Sequence, residues 1–187
     1  HTELALPWAE QLLAEAGIAR SSLDAVAVGR GPGAFTGVRL AIALGQGVAL
    51  GLDRPLVPVS TLMTLAARAP GASQQVLAAI DARMGEVYLA AFSREDDLLR
   101  PLADERVIPP HAAAKPTAGA WAGVGTGFAA VEGALQARLA GCLAEVDATA
   151  LPHVGDLAQV AAQAFARGEG LPPERVERAY LRNQVAL

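Results

Sequence analysis

The stretch Gly29-Arg30-Gly31-Pro32-Gly33-Ala34-Phe35-Thr36-Gly37-Val38-Arg39 stands between the short apolar run 23–28 and the long apolar run 40–52. A β-rich run, a glycine loop and a helix in direct succession predict a strand–turn–helix unit. Such a turn exposes the first backbone N–H groups of the helix and its positive dipole end, a ready site for an anion. Thr36 is a candidate N-cap, and Gly31 and Gly33 let a ligand or a second backbone approach without a Cβ clash. A tight turn with glycines kept for packing is the competing reading. Two better-known loops are excluded. A Walker A loop needs Lys and Ser or Thr at its helix end, whereas Gly37 is followed by Val38 and Arg39. Gly29, Gly31 and Ala34 match a dinucleotide fingerprint loosely, but no acidic residue ends a second strand about 20 residues on, since Asp53 precedes its strand.

Downstream, residues 36–50 predict a helix whose strongly polar side chains are Arg39 and Gln46, so it is expected to be buried on most sides. Ala41, Gly45 and Ala49 fall at i, i+4 and i+8 and form a ridge of small residues that admits another backbone. Gly45 and Gly47 each weaken a helix by roughly 1 kcal/mol relative to Ala, so a close contact is the expected reason for them. Upstream, residues 2–16 predict a helix ended by Gly17, with Pro7 in its first turns. Its apolar residues, Leu4, Trp8 and Leu12 among them, spread over roughly 200° of its circumference, against about 100° for one buried face. Two neighbours are therefore expected for it.

The remaining chain alternates strands and helices, which predicts an α/β fold in two lobes, residues 1–72 and 73–187, the last helix being a candidate to return to the first lobe. Strand 55–59 leads through Ser60, a plausible N-cap, into a helix at 61–68. Residues 75–81 and 86–92 read as a hairpin turning at 83–85, and 93–97 as a solvated charge cluster. Then follow a strand at 120–125, a helix at 127–139, a strand at 143–146 and a helix at 155–167.

The 187 residues are 52% hydrophobic and 18% charged, with only 4% aromatic, so a packed core of small side chains is expected. The net charge of −4, with no stripe of Lys or Arg, argues against direct capture of a nucleic acid backbone. Cys142 is the single cysteine, which leaves no intramolecular disulfide and reads as a small buried apolar residue, as in a reduced cytosol. The apolar run 40–52 falls short of the ~20 residues of a bilayer span, so no membrane segment is expected. His1, His111 and His153 sit in no HxxxH or HExxH pattern and read as surface or packing residues, so no metal site is expected. Asp81, Arg83 and Glu86 surround the hairpin turn and read as a partly buried structural ion-pair network. Arg178 and Arg182 read as solvated residues near the C-terminus, a partner or phosphate contact being the alternative.

Three segments in order carry a resemblance. GPGAFTGVRLAIALGQGVA is similar to the GPGSFTGLRIG signature of the TsaB (YeaZ) family, with Ala34 and Ala41 as departures. AIDARMGEVY at 79–88 resembles that family's DAR and EVY hairpin, and AYLRNQVA at 179–186 its C-terminal YLR segment. The resemblance implies the two-lobed fold of actin, heat-shock chaperones and sugar kinases (ASKHA), here apparently without its first strands, because the family's opening Asp-Thr-Ser strand and hairpin find no counterpart. It implies no catalysis by the chain itself. The implied role is that of a cytoplasmic partner that activates TsaD in forming threonylcarbamoyl-adenosine at position 37 of tRNAs reading ANN codons. TsaD is the implied partner through the first two helices, at Leu4, Trp8, Leu12, Ala41, Gly45, Val48 and Ala49. The ATPase TsaE joins, tRNA is met only indirectly, and a homodimer forms in the partners' absence. No cofactor is its own; ATP or ADP is a candidate at the interface, with Gly31, Gly33, Thr36 and Gly37 as tentative contacts. TsaD's HxxxH metal pair is missing from residues 55–63. An ATP-dependent small-molecule kinase of the same fold, or a homodimeric binding module, is the alternative.

Overall fold

The computed structural model describes residues 2–96, 98–116, 119–179 and 181. Helix α1 (Thr2–Ala16) carries Pro7 in its second turn and ends at Gly17, whose φ of +66° suits glycine. Strand β1 (Val26–Gly29) starts later than residue 23, because residues 20–22 make a 3-10 turn. The Arg54 guanidinium holds that turn, donating to the carbonyls of Leu23 (2.6 Å) and Ser21 (3.1 Å).

Helix α2 (Phe35–Leu52) stops at Asp53 in the left-handed region, and β2 (Leu56–Val59) then lies parallel to β1, Val26 opposite Leu56 and Gly29 opposite Val59. Val28, Ile42, Ala49, Leu56 and Val176 form the core between helix and sheet. Only Ile42, Gly45 and Ala49 of α2 are fully buried. The expectation of burial on most sides is therefore corrected: two strands are too narrow to cover more than one face of an apolar helix. Phe35–Leu52 is also long and apolar enough, by composition, to cross a membrane. This corrects the estimate from 40–52, and the helix's packing on β1 and β2 gives it the place of a core helix.

Ser60 caps α3 (Thr61–Ala66), its Oγ accepting from the N–H groups of Leu62 and Met63. The second sheet is built on the hairpin β3 (Gln75–Arg83) and β4 (Glu86–Glu95). Its turn puts Arg83, Met84 and Gly85 at positive φ, the geometry favoured in tight hairpins. Residues 93–95 continue β4 instead of forming a solvated cluster, and the Arg94 guanidinium reaches the carbonyls of Ala69 and Gly71. Strands β5 (Leu98–Pro101) and β6 (Arg106–Ile108) both pair antiparallel with β4 and were not expected. Strand β7 (Trp121–Val124) lies parallel to β3, and after α4 (Ala130–Leu139) strand β8 (Leu143–Asp147) lies parallel to β7. The order is β5-β4-β3-β7-β8, with β6 beside β4. One face packs on α3 through Leu62, Leu65, Val76 and Phe92, the other on α4 through Phe128, Leu135 and Leu139.

Helix α5 (Val154–Ala166) sets Ala161 and Ala164 against Val57 and Val59 of β2. The chain then bridges Leu171 to Leu56 and places Val176 in the α2 core. The segment after α5 thus returns to the first sheet.

Candidate functional site

The glycine loop is fastened at its N-terminal end. Arg30 N–H donates to Val59 O (2.8 Å), Thr61 N–H to Gly31 O (2.9 Å) and Ala179 N–H to Arg30 O (3.0 Å). The N-cap of α2 is Ala34, which has no side-chain cap, and Thr36 is already inside the helix. The Thr36 cap is therefore corrected: the loop runs one residue shorter than expected, so the helix begins at Phe35. Gly31 holds φ at +94°, and methyl groups of Val38 lie 3.5 Å and 3.4 Å from where a Cβ would stand on Gly31 and Gly33. The Val38 side chain thus packs beside Gly31 and Gly33. Residues 33–37 are exposed on the other side, and the Arg39 guanidinium lies 3.6 Å over the Phe35 ring. The exposed residues 33–37, Gly33, Thr36 and Gly37 among them, lead directly into the uncapped start of α2, and Gly31 is buried beneath them.

A second glycine loop escaped the reading. Gly123-Val124-Gly125-Thr126-Gly127 runs from the end of strand β7 into the turn after it, a G-x-G-x-G spacing visible in the sequence. Its glycines serve packing. A Cβ on Gly123 would stand 2.9 Å from the Phe128 ring, one on Gly127 2.7 Å from Ala79 Cβ, and one on Gly125 would overlap Ala79 O and Leu65.

The two-helix face divides the expected interface residues. Leu4, Trp8 and Leu12 are 47%, 50% and 64% exposed. Val48 joins Ala43 and Gly47 of α2 in lining a groove of about 410 Å³ opposite Leu6, Ala9 and Leu13 of α1. Gly45 and Ala49, however, are buried against the chain's own sheet, and Ala41 packs at its edge. The ridge 41/45/49 is therefore corrected from an outer face to an inner one, because β1 and β2 need a small surface on α2 to approach. The outer ridge is Ala43, Gly47 and Gly51, with the same i, i+4, i+8 spacing.

Where β2 meets α3, three side chains converge. Glu105 Oε1 accepts from Ser60 Oγ and, at 3.4 Å, from Arg30 Nη2. Ser60 is buried, the Glu105 side chain is 12% exposed, and Glu105 Oε2 is buried with no hydrogen-bond partner among the described residues. Sequence reading singled out none of this beyond the Ser60 cap, since 45 residues separate Ser60 from Glu105.

Asp81 and Arg83 do meet, with 3.2 Å between charges, and Asp81 Oδ1 accepts the Arg83 N–H at 2.8 Å. Glu86 stands opposite Arg83 in the ladder. Arg83 is 86% and Asp81 30% exposed, so the cation is solvated while the carboxylates of Asp81 and Glu86 are partly buried. His153 caps α5, its Nδ1 accepting from Gly155 N–H, and His111 is exposed. Among the described residues no group of three His, Cys, Asp or Glu is placed to hold a metal. Arg178 lines a depression with Arg39 and Gln46, Cys142 is half-buried, and His1, Arg182 and most of the YLR segment lie outside the described residues.

An α/β chain with two sheets, a glycine loop opening the helix of the first and exposed apolar side chains on α1 has clear relatives. The family described as "TsaD: tRNA N6-adenosine threonylcarbamoyltransferase" matches residues 1–185. The solved structure "YeaZ from Pseudomonas aeruginosa" superposes with a TM-score of 0.87 at 44% identity, over 97% of this chain and 84% of that one. The "tRNA threonylcarbamoyladenosine biosynthesis protein TsaB" of Escherichia coli strain K12 is 40% identical over all of this chain and 82% of its own length. Its namesake from Haemophilus influenzae is 36% identical over 99% and 81%. The fold is thus the ASKHA type shared with TsaD. Within it, the chain belongs to the TsaB (YeaZ) family.

Proposed function

We propose that this chain serves the synthesis of threonylcarbamoyl-adenosine on tRNA as a partner subunit that binds and activates the TsaD-type transferase, and performs no chemistry itself. The observation that carries this is the exposed apolar surface of α1: Leu4, Trp8 and Leu12, at i, i+4 and i+8, stand about half or more open to solvent, while Leu6 lines the groove against α2 on another side of the helix. Large apolar side chains gathered on one face mark a surface that another protein covers. TsaD, with TsaE joining the assembly, is the partner this family membership supports. tRNA is met indirectly, as the net charge of −4 suits a subunit that leaves the phosphate backbone to others. A nucleotide at the interface would meet this chain at the exposed residues 33–37 that open α2. The expected compartment is the cytoplasm.

Titration of the purified chain with a TsaD-type transferase tests the reading. Binding should be lost on Trp8→Glu with the fold intact; unchanged affinity would overturn the assigned face. A homodimer through the same face is the second reading, favoured by its apolar character, and light scattering with and without the transferase separates the two.

A further inference from the structure

We propose that Glu105 is a positioning residue for the partner face: it fastens the loop that opens α2 to the six-stranded sheet. The proposal deepens the reading of the α1–α2 face given above and rests on it. Glu105 belongs to the connection that leads into β6, and β6 is held by β4 in the second sheet. Its carboxylate reaches Ser60, at the end of β2, and Arg30, the residue that leaves β1. Arg30 is itself held by main-chain bonds to Val59 and Ala179 on either side, and the next residue, Gly31, accepts from Thr61. A pull on Glu105 is therefore transmitted within one residue to the glycine loop. From Gly33 to Gly37 that loop is exposed, so its position depends on how its start is anchored.

The unpartnered Oε2 strengthens the argument. A buried carboxylate with one oxygen unmatched is a costly group to retain, and an apolar residue would fill the space more stably. Such groups persist where a directional contact is needed, and here the contact crosses between the two sheets. Its consequence is that the pose of α2 before the partner arrives follows the second sheet.

The test uses the full chain with Glu105→Ala, Glu105→Gln and Arg30→Ala, read by amide hydrogen exchange and by titration with the transferase. Glu105→Ala should speed exchange at the hydrogen-bonded amides of Arg30, Thr61 and Val38 by about tenfold while β3 and β7 keep their protection, and weaken transferase binding by a similar factor. Glu105→Gln keeps an acceptor for Ser60 and Arg30 and should recover most of both. The double variant Arg30→Ala/Glu105→Ala should be no worse than Glu105→Ala. Exchange at those three amides that stays at the wild-type rate, or that rises only together with the whole molecule, overturns the proposal and leaves Glu105 a support for α3. Should the wild-type chain fail to bind the transferase, the reading of the face falls, while the exchange pattern still decides the role of Glu105.

Discussion

Gly45 of α2 rests on Val28 of β1: a Cβ on the glycine would stand 3.3 Å from the valine Cβ and equally close to Leu56 Cδ1. That contact sets how closely the helix approaches its sheet. Substituting Gly45→Leu forces a branched side chain into a space already filled, which costs about 2–3 kcal/mol by overpacking. Thermal melting should drop by several degrees, and any loss of partner binding should track the loss of fold.

Two residues further on, Gly47 has nothing within 4 Å of where its Cβ would be, and it lines the groove between α1 and α2. Gly47→Leu should leave the melting temperature unchanged or slightly raised, since leaving glycine favours a helix by roughly 0.5–1 kcal/mol. A filled groove should nonetheless weaken the transferase complex. The contrast between positions 45 and 47, read by melting and by titration side by side, separates the inner from the outer ridge.

Ser60 performs two tasks, capping α3 and donating to Glu105. Ser60→Ala should destabilise the chain by more than the ~1 kcal/mol of an ordinary lost cap, because it also takes a partner from a buried carboxylate. Ser60→Thr, which keeps the hydroxyl, should recover most of the loss in a chemical denaturation series.

Gly125 holds φ at +107° with its α-carbon turned toward Ala79 O and Leu65. Gly125→Ala combines a forbidden backbone conformation with a core collision. It should abolish cooperative unfolding, visible as the loss of a sharp thermal transition.

The Thr149 hydroxyl, followed by the Thr149 and Ala150 amides, holds the Asp147 carboxyl below its ordinary value, against a smaller opposing push from desolvation. A carboxylate with a depressed native value stabilises the fold above the unfolded value near 3.8, and that stabilisation fades as pH falls through the native value. Thr149→Val should move the Asp147 carboxyl carbon titration upward in NMR and lower stability at neutral pH, the difference from the wild-type chain closing as pH falls below the native value.

Turn chemistry made much of the fold legible. The Arg83-Met84-Gly85 turn, the Ser60 cap and the glycine stop after α1 each declare themselves within four residues, because the backbone geometry they permit is local. Strands β5 and β6 escaped for the opposite reason: four and three residues long, they carry no alternation to detect and exist only because β4 offers them an edge. Residues 93–95 were misread similarly. Their charges suit solvent, yet Arg94 finds backbone carbonyls at Ala69 and Gly71 that only the folded chain brings near.

By itself the sequence determined the order of the longer elements, the Ser60 cap, the hairpin turn and a family membership written in three ordered segments, since each depends on neighbours along the chain. It could not choose between 41/45/49 and 43/47/51, two small-residue ridges of equal spacing on one helix. Nor could it tell that the glycines of the second loop are packed tightly against Ala79, Leu65 and Phe128. Tertiary structure decided these points. Which ridge faces inward, and whether a glycine's empty side holds a ligand or a neighbour's methyl group, depend on atoms that become neighbours only when distant segments pack.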